Sequence, residues 1–459
     1  MSQVTYSVPV IGFFLNGRRL WQAALLVAIL VCVAQPSWGQ AAAAPEQQAN
    51  PSLAESLKRA DTGKTQLHIF YVHGMGINAP KPKAAPQDFE VSQEFRTSFC
   101  KLIHCTTRMG EFEGRDYANE ADFDPTAAPP QLLYFGEYLW KQSATNDDWH
   151  AAAPFVDHYK LVRKNGTIIY LHEINWWPLV LSAKCRQIVA LEAALVGPDA
   201  KHIETCSAKT VQDSNHEGRF KSYAWINDVQ QRDPSWPEPA VINRELKHDI
   251  LDWGFADALL AVGPMHKYLI EGIREIVMDS FTPASNQEFV VVSHSLGSYL
   301  MFSALDLEGD PQAAMHPDWN DKFDKVLSQT SHAYFMANQI RLLELANLDD
   351  VKNGNLIAHL QNWSDSRSRA QQPPPQIVAW SDPDDLLTWQ VPDPDQNVTG
   401  ANVKHVTVTN RPAMNAWRWF WLLENPEDAH LKYDQNKRVV RAMVPKSNPR
   451  PTQEVNGTN

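Results

Sequence analysis

Seven short apolar runs punctuate the chain, at 67–72, 131–135, 167–172, 289–292, 332–336, 376–380 and 403–408. Each is rich in β-branched and aromatic residues and bounded by polar or turn-forming segments, the mark of a short buried strand. Between them the apolar period lengthens to that of a helix. At 88–102, Phe89, Phe95, Phe99 and Leu102 fall roughly on one face, and 246–262 and 268–278 repeat the pattern before the run at 289. Strands alternating with helices predict an α/β fold, a mostly parallel sheet with helices on both faces. Asn165-Gly166, between YKLVRK and TIIYLH, predicts a hairpin turn, because both residues tolerate positive φ.

Two stretches fit the alternation poorly. Segments 106–160 and 186–245 carry many Asp, Pro and Trp residues and read as cap-like excursions from the sheet. Residues 40–64 are Ala, Gln and polar residues with no core pattern, which predicts a flexible linker. The Pro- and Asn-rich end, 445–459, reads as a disordered tail. The domain proper is then 65–444.

The first 39 residues have the pattern of a targeting segment. Arg18-Arg19 precedes an apolar run over 20–34, broken only by Gln22, and Pro36, Ser37 and Gly39 follow. Charge, apolar core and small residues in that order describe a secretory signal. The run falls short of the roughly 20 residues of a membrane-spanning helix; left uncleaved, it would still tie the chain to the inner membrane. Val31, bulky before Cys32, speaks against lipoprotein processing. Export to the periplasm or beyond is the expectation.

Composition narrows the function. Acidic residues outnumber basic ones by 53 to 41, and no basic run offers a footprint for nucleic acid. Apolar residues at 44% suffice for a large core and exclude a disordered chain. Without Cys32, four cysteines remain: Cys100, Cys105, Cys185 and Cys206. An even number in an exported chain suggests disulfides, with sequence neighbours the simplest pairing and buried free thiols the alternative. None forms a CxxC pair, which argues against zinc.

The segment from Phe289 to Leu305 carries the chemistry: four apolar residues, a turn of small residues, then a helical run. Ser295 sits at the apex, with Ser293 two before it and Gly297 two after it. A serine raised on a strained strand-to-helix turn needs small residues at those positions, because the turn brings them against strand and helix. The usual first residue is Gly, and Ser293 departs from it while remaining small. An ordinary strand-to-helix turn that happens to hold a serine is the bland alternative.

The Ser293-His294-Ser295-Leu296-Gly297 turn resembles the nucleophile elbow of the α/β-hydrolase superfamily, above all its lipase and esterase branches, where His-Ser-Leu-Gly is common. The resemblance implies nucleophile, acid and histidine in that chain order. Upstream, the strand 67–72 ends in His73-Gly74-Met75-Gly76, similar to the oxyanion loop of these enzymes; the backbone N–H groups of Met75 and Leu296 would be the two oxyanion donors. Downstream, the strand 376–380 empties into Asp382-Pro383-Asp384-Asp385. The family's acid often precedes two apolar residues, here Leu386 and Leu387, which favours Asp385, with Asp382 as the alternative and Asp384 also in the turn. His430, on a loop past the last strand, matches the position of the general base; its rival His405 falls inside the strand 403–408.

The resemblance implies an exported serine hydrolase acting on small-molecule or lipid esters, with no metal or organic cofactor. It covers the sheet-forming half of the chain, and 222 positions separate His73 from Ser295, far more than a minimal member needs. The Trp176-Trp177 pair could add aromatic surface near the cleft, although core packing is the commoner role for such residues. The rival reading is a non-catalytic envelope protein that uses the same scaffold to bind lipid, glycan or protein.

Overall fold

The computed structural model describes residues 53–75, 92–117, 154–177, 179–180, 256–263, 266–304, 317–344, 355–389, 391, 400–410 and 426–444. In chain order the elements are α1 (Ala54–Asp61), β1 (Gln66–Val72), α2 (Gln93–Ile103), β2 (Glu111–Tyr117), β3 (Phe155–Val162), β4 (Ile168–Asn175) and α3 (Ala256–Val262). There follow α4 (His266–Ser280), β5 (Gln287–His294), α5 (Leu296–Ala304), α6 (Pro317–Gln329), β6 (Thr330–Met336) and α7 (Ile340–Glu344). The chain closes with α8 (Asn355–Arg369), β7 (Gln376–Ser381), β8 (Asn402–Thr407), α9 (Pro426–Leu431) and α10 (Lys437–Met443).

The eight strands form one sheet in the order β2-β3-β4-β1-β5-β6-β7-β8. Every pairing from β4 to β8 is parallel, and β2 and β3 extend the sheet antiparallel. Successive side chains of a strand feed opposite cores. Phe70, Val72, Phe289 and Val291 pack with Ile273 of α4, Leu300 of α5 and Trp363 of α8 on one face. Ile69, Tyr71, Val290 and Val292 pack with Leu57 of α1, Phe95 and Phe99 of α2 and Val439 of α10 on the other. With both faces covered, the central strands carry apolar runs such as Phe289–Val292 of β5, and β6 is buried at all seven positions. Chain order reverses around β1, which lies between β4 and β5. The carboxyl end of such a switch is where open α/β sheets leave a crevice.

The hairpin forms at the expected turn. Gly166 has φ of 87°, and Arg163 N–H donates to the Thr167 carbonyl at 2.8 Å. The Cys100–Cys105 disulfide joins the end of α2 to the residue after its left-handed cap at His104. Cys185 and Cys206 lie outside the described residues, as do the N-terminal 1–39 segment, the 131–135 run, the 186–245 excursion and the 445–459 tail.

Two expectations are corrected. The expected linker 40–64 includes α1, whose Leu53, Leu57 and Ala60 stripe is buried and whose Ser56 and Arg59 bond Glu288 at the start of β5. A stripe of three apolar residues in a polar stretch is too short to stand out from a linker. The expected excursion 106–160 contributes two strands to the sheet, β2 and β3. The polar sequence EFEGRDY of β2 suits an edge strand, where charged residues discourage further pairing.

A buried carboxyl fastens α2 to the sheet. Ser92, at the N-cap, donates its N–H and its hydroxyl to Glu173 Oε2 of β4, at 3.0 and 2.5 Å. Burial, reinforced by the nearby Asp157 carboxylate, pushes the Glu173 carboxyl up to about 7 despite those two bonds. A carboxyl raised in the folded state contributes stability that is complete below its unfolded pKa near 4.5 and is lost as pH rises toward 7. Glu173→Gln is neutral and can still accept from Ser92. The fall in melting temperature between about pH 5 and pH 7.5 is therefore expected to be smaller in this variant, each unit of that window being worth at most about 1.4 kcal/mol. An undiminished fall, read by thermal denaturation, would place the titration elsewhere.

Candidate active site

Ser295 is the one residue between the end of β5 and the start of α5, and its φ is 54°. A left-handed conformation for a residue other than glycine costs on the order of 1–3 kcal/mol. Neighbours hold it there. Ser295 N–H donates to the Met336 carbonyl at the end of β6, at 2.8 Å. Gly297 follows because nothing larger fits: a Cβ on it would collide with the carbonyl oxygens of His73 and of Val72, the latter at 2.6 Å. Ser293 is tolerated at the first position because its buried hydroxyl donates to Ser298 Oγ of α5, at 3.0 Å, so no polar group is orphaned.

The turn carries Ser295 to His430, which lies not on the expected loop but within the short helix α9 past the last strand. Ser295 Oγ lies 2.7 Å from His430 Nε2. His430 Nδ1 lies 2.9 and 3.0 Å from the two carboxylate oxygens of Asp385. A carboxylate only accepts, so Nδ1 carries the proton, Nε2 is the bare acceptor and the serine hydroxyl donates to it. All three residues are buried. Such a chain can remove the hydroxyl proton as the oxygen attacks an electrophilic carbon.

Asp382 takes a different part. Its Oδ1 accepts the Asp384 N–H at 3.1 Å and its Oδ2 accepts the Asn410 N–H at 2.5 Å. Asn410 in turn donates its side-chain amide to the Ala429 carbonyl, next to His430, at 2.6 Å. Through Asn410, Asp382 thus braces the helix α9 that holds the histidine, while Asp384 is exposed. Asp385 is fixed within its own turn, where Oδ1 accepts the Leu387 N–H at 2.9 Å. Beyond it, Trp389 and Asn338 exchange hydrogen bonds of 3.1 and 2.9 Å, tying the loop after β7 to the loop after β6.

Tyr433 joins the two aspartates. Its fully buried hydroxyl accepts the Asp382 N–H at 2.6 Å and donates to Asp385 Oδ2 at 3.3 Å. Burial and the adjacent Asp385 carboxylate raise the phenol well above its ordinary range, so it stays a donor. Tyr433→Phe leaves the Asp382 N–H without its acceptor and is expected to lower stability by about 1–3 kcal/mol. Thermal denaturation checks this, and an unchanged melting temperature would dispose of the phenol as a brace.

The loop after β1 completes the site. Gly74 lies against the serine: a Cβ there would come within 2.7 Å of Ser295 Cβ. Met75 follows, half-buried, and Gly76 lies outside the described residues. Leu296 is the first residue of α5, where a helix leaves its N–H groups without intrahelical acceptors. His73 is buried; its Nδ1 donates to the Gly74 carbonyl at 2.7 Å, and its ring stacks on Trp176, whose indole N–H donates to the His73 carbonyl at 3.1 Å. Burial holds the His73 imidazole down at about 3, hence neutral. Trp176 and Trp177 are both buried, in the core role rather than as open aromatic surface. His405 lies within β8.

Comparison with protein-family models, with curated proteins and with solved structures finds no match. The reading of the site therefore rests on its own geometry. Ser295, Asp385, His430, Leu296 and the His73–Met75 loop are brought together at the carboxyl end of the sheet. The roles of Tyr433 and Asn410 escaped the sequence, since each acts through a bond to a residue distant along the chain or through the backbone.

Proposed function

We propose that the chain is a serine hydrolase of the α/β-hydrolase kind that cleaves carboxylic esters. One observation carries the reading: a serine on a left-handed strand-to-helix turn, 2.7 Å from an imidazole whose far nitrogen is held by a buried carboxylate. Ser295 Oγ attacks the ester carbonyl carbon while His430 Nε2 takes its proton. The N–H groups of Met75 and Leu296 receive the resulting oxyanion. The intermediate collapses, the alcohol leaves with the proton from His430, and an acyl group remains on Ser295. Water, deprotonated by the same imidazole, then releases the acid and restores the serine. Asp385 keeps the imidazole in the required tautomer and balances its transient positive charge.

The signal-like 1–39 segment and the Cys100–Cys105 disulfide support a place outside the reducing cytosol. Treatment of the purified protein with a fluorophosphonate, followed by peptide mass spectrometry, tests the activity. A single adduct on Ser295, together with cleavage of p-nitrophenyl esters, is expected. No adduct and no turnover would favour the non-catalytic binding protein.

A further inference from the structure

His294 immediately precedes Ser295, yet its side chain serves the opposite member of the pair. Its Nε2 lies 2.9 Å from the backbone carbonyl of His430. A carbonyl only accepts, so Nε2 carries the proton and the ring is in the Nε2–H tautomer. The ring is buried, and burial holds it down at about 4, so it is a neutral, constant donor near neutral pH. It meets the His430 ring edge-on, with centroids 5.5 Å apart, and the Tyr433 ring at 6.0 Å. On its other side a Cβ on Gly74 would come within 3.0 Å of its Nδ1, so the loop after β1 also rests on it.

His430 lies near the end of α9, a helix of six residues, in the stretch where carbonyls find no intrahelical donor. The Asp385 carboxylate fixes the imidazole ring, but a ring can be held at one nitrogen while its backbone drifts. The His294 N–H supplies the second anchor, on the main chain. Because His294 and Ser295 are consecutive, that anchor sets the position of the base relative to the serine itself.

We propose that His294 is a positioning residue that holds the His430 backbone within proton-transfer distance of Ser295 and registers it against the Gly74 loop. The inference rests on the serine-hydrolase reading for its consequence in rate. Its geometric content stands apart from that reading. The closeness of reacting groups accounts for much of the effect expected, since a displacement of about 1 Å costs on the order of 100-fold in rate.

Two variants separate positioning from packing. His294→Phe keeps a ring and removes the donor. His294→Gln places an amide N–H close to where Nε2 stood. His294→Phe is expected to lower kcat for p-nitrophenyl butyrate and the rate of fluorophosphonate labelling about 100-fold, with KM little changed. His294→Gln is expected to recover most of that loss. Wild-type labelling at Ser295 with an unimpaired His294→Phe variant would overturn the inference and leave the hydrolase reading intact. Equal losses in both variants would assign His294 to packing and likewise overturn it. If the wild type fails to label, the hydrolase reading falls, and the carbonyl carbon-13 shift of His430, the group that accepts from His294, decides the positioning. A shift in His294→Phe that returns in His294→Gln supports the anchor, and an unchanged resonance in His294→Phe refutes it.

Discussion

Ser295→Ala is expected to abolish fluorophosphonate labelling and to reduce ester cleavage by about 10⁶-fold, the scale on which removal of the nucleophile acts in a serine protease. The fold should survive. The turn is held by the Ser295 N–H to the Met336 carbonyl and by the close approach of Gly297 to the Val72 and His73 carbonyls, neither of which involves the hydroxyl. Ala keeps the Cβ that abuts Gly74 and adopts the same φ with the same strain. What is lost is one hydrogen bond, and His430 Nε2 is left as a buried acceptor at a cost on the order of 1–3 kcal/mol. The signature is thus loss of labelling and turnover with a modestly lowered melting temperature. Full turnover by the purified variant would remove Ser295 from the chemistry and the proposed function with it.

How far these residues could be read in advance depended on how local their partners are. Ser295 was legible because its requirements are local: an apolar strand before it, a helix after it, and a glycine two positions on that cannot tolerate a Cβ. The central parallel strands were legible because burial on both faces leaves a continuous apolar run, as at Phe289–Val292 of β5. The polar edge strand β2 offered no such run. Helix α1 was hidden because its partner Glu288 stands more than two hundred residues away. Among the three aspartates of one turn, sequence could rank but not separate, since Asp382 and Asp385 differ only in where their oxygens point. In the folded chain the distinction is sharp, for Asp382 spends both oxygens on backbone N–H groups while Asp385 meets the imidazole. His294 stood in the motif from the start. Its partner is a carbonyl, and no residue type announces a carbonyl.

That difference between the aspartates sets the second large effect. Asp385 Oδ1 accepts from Leu387 N–H and from His430 Nδ1, and Oδ2 accepts from His430 Nδ1 and from the Tyr433 hydroxyl. In Asp385→Asn the oxygen remains best placed toward Leu387, which turns the amide NH2 toward the imidazole at the site of Oδ2. A donor there meets the Nδ1–H of His430. The ring escapes the clash by moving its proton to Nε2, and it then presents a donor to Ser295 where the reaction needs an acceptor. The comparable change in a serine protease costs about 10⁴ in kcat, and a loss of that order is expected here with the fold intact. Asp382→Asn meets two backbone N–H groups instead, so its NH2 must face one of them. It should lose about 1–3 kcal/mol of stability and keep most of its turnover. The exposed Asp384→Asn should change neither. Turnover and melting temperature, measured on all three variants, distinguish the roles. A collapse of turnover in Asp382→Asn, with Asp385→Asn active, would move the acid to Asp382 and require the turn after β7 to rearrange before the chemistry.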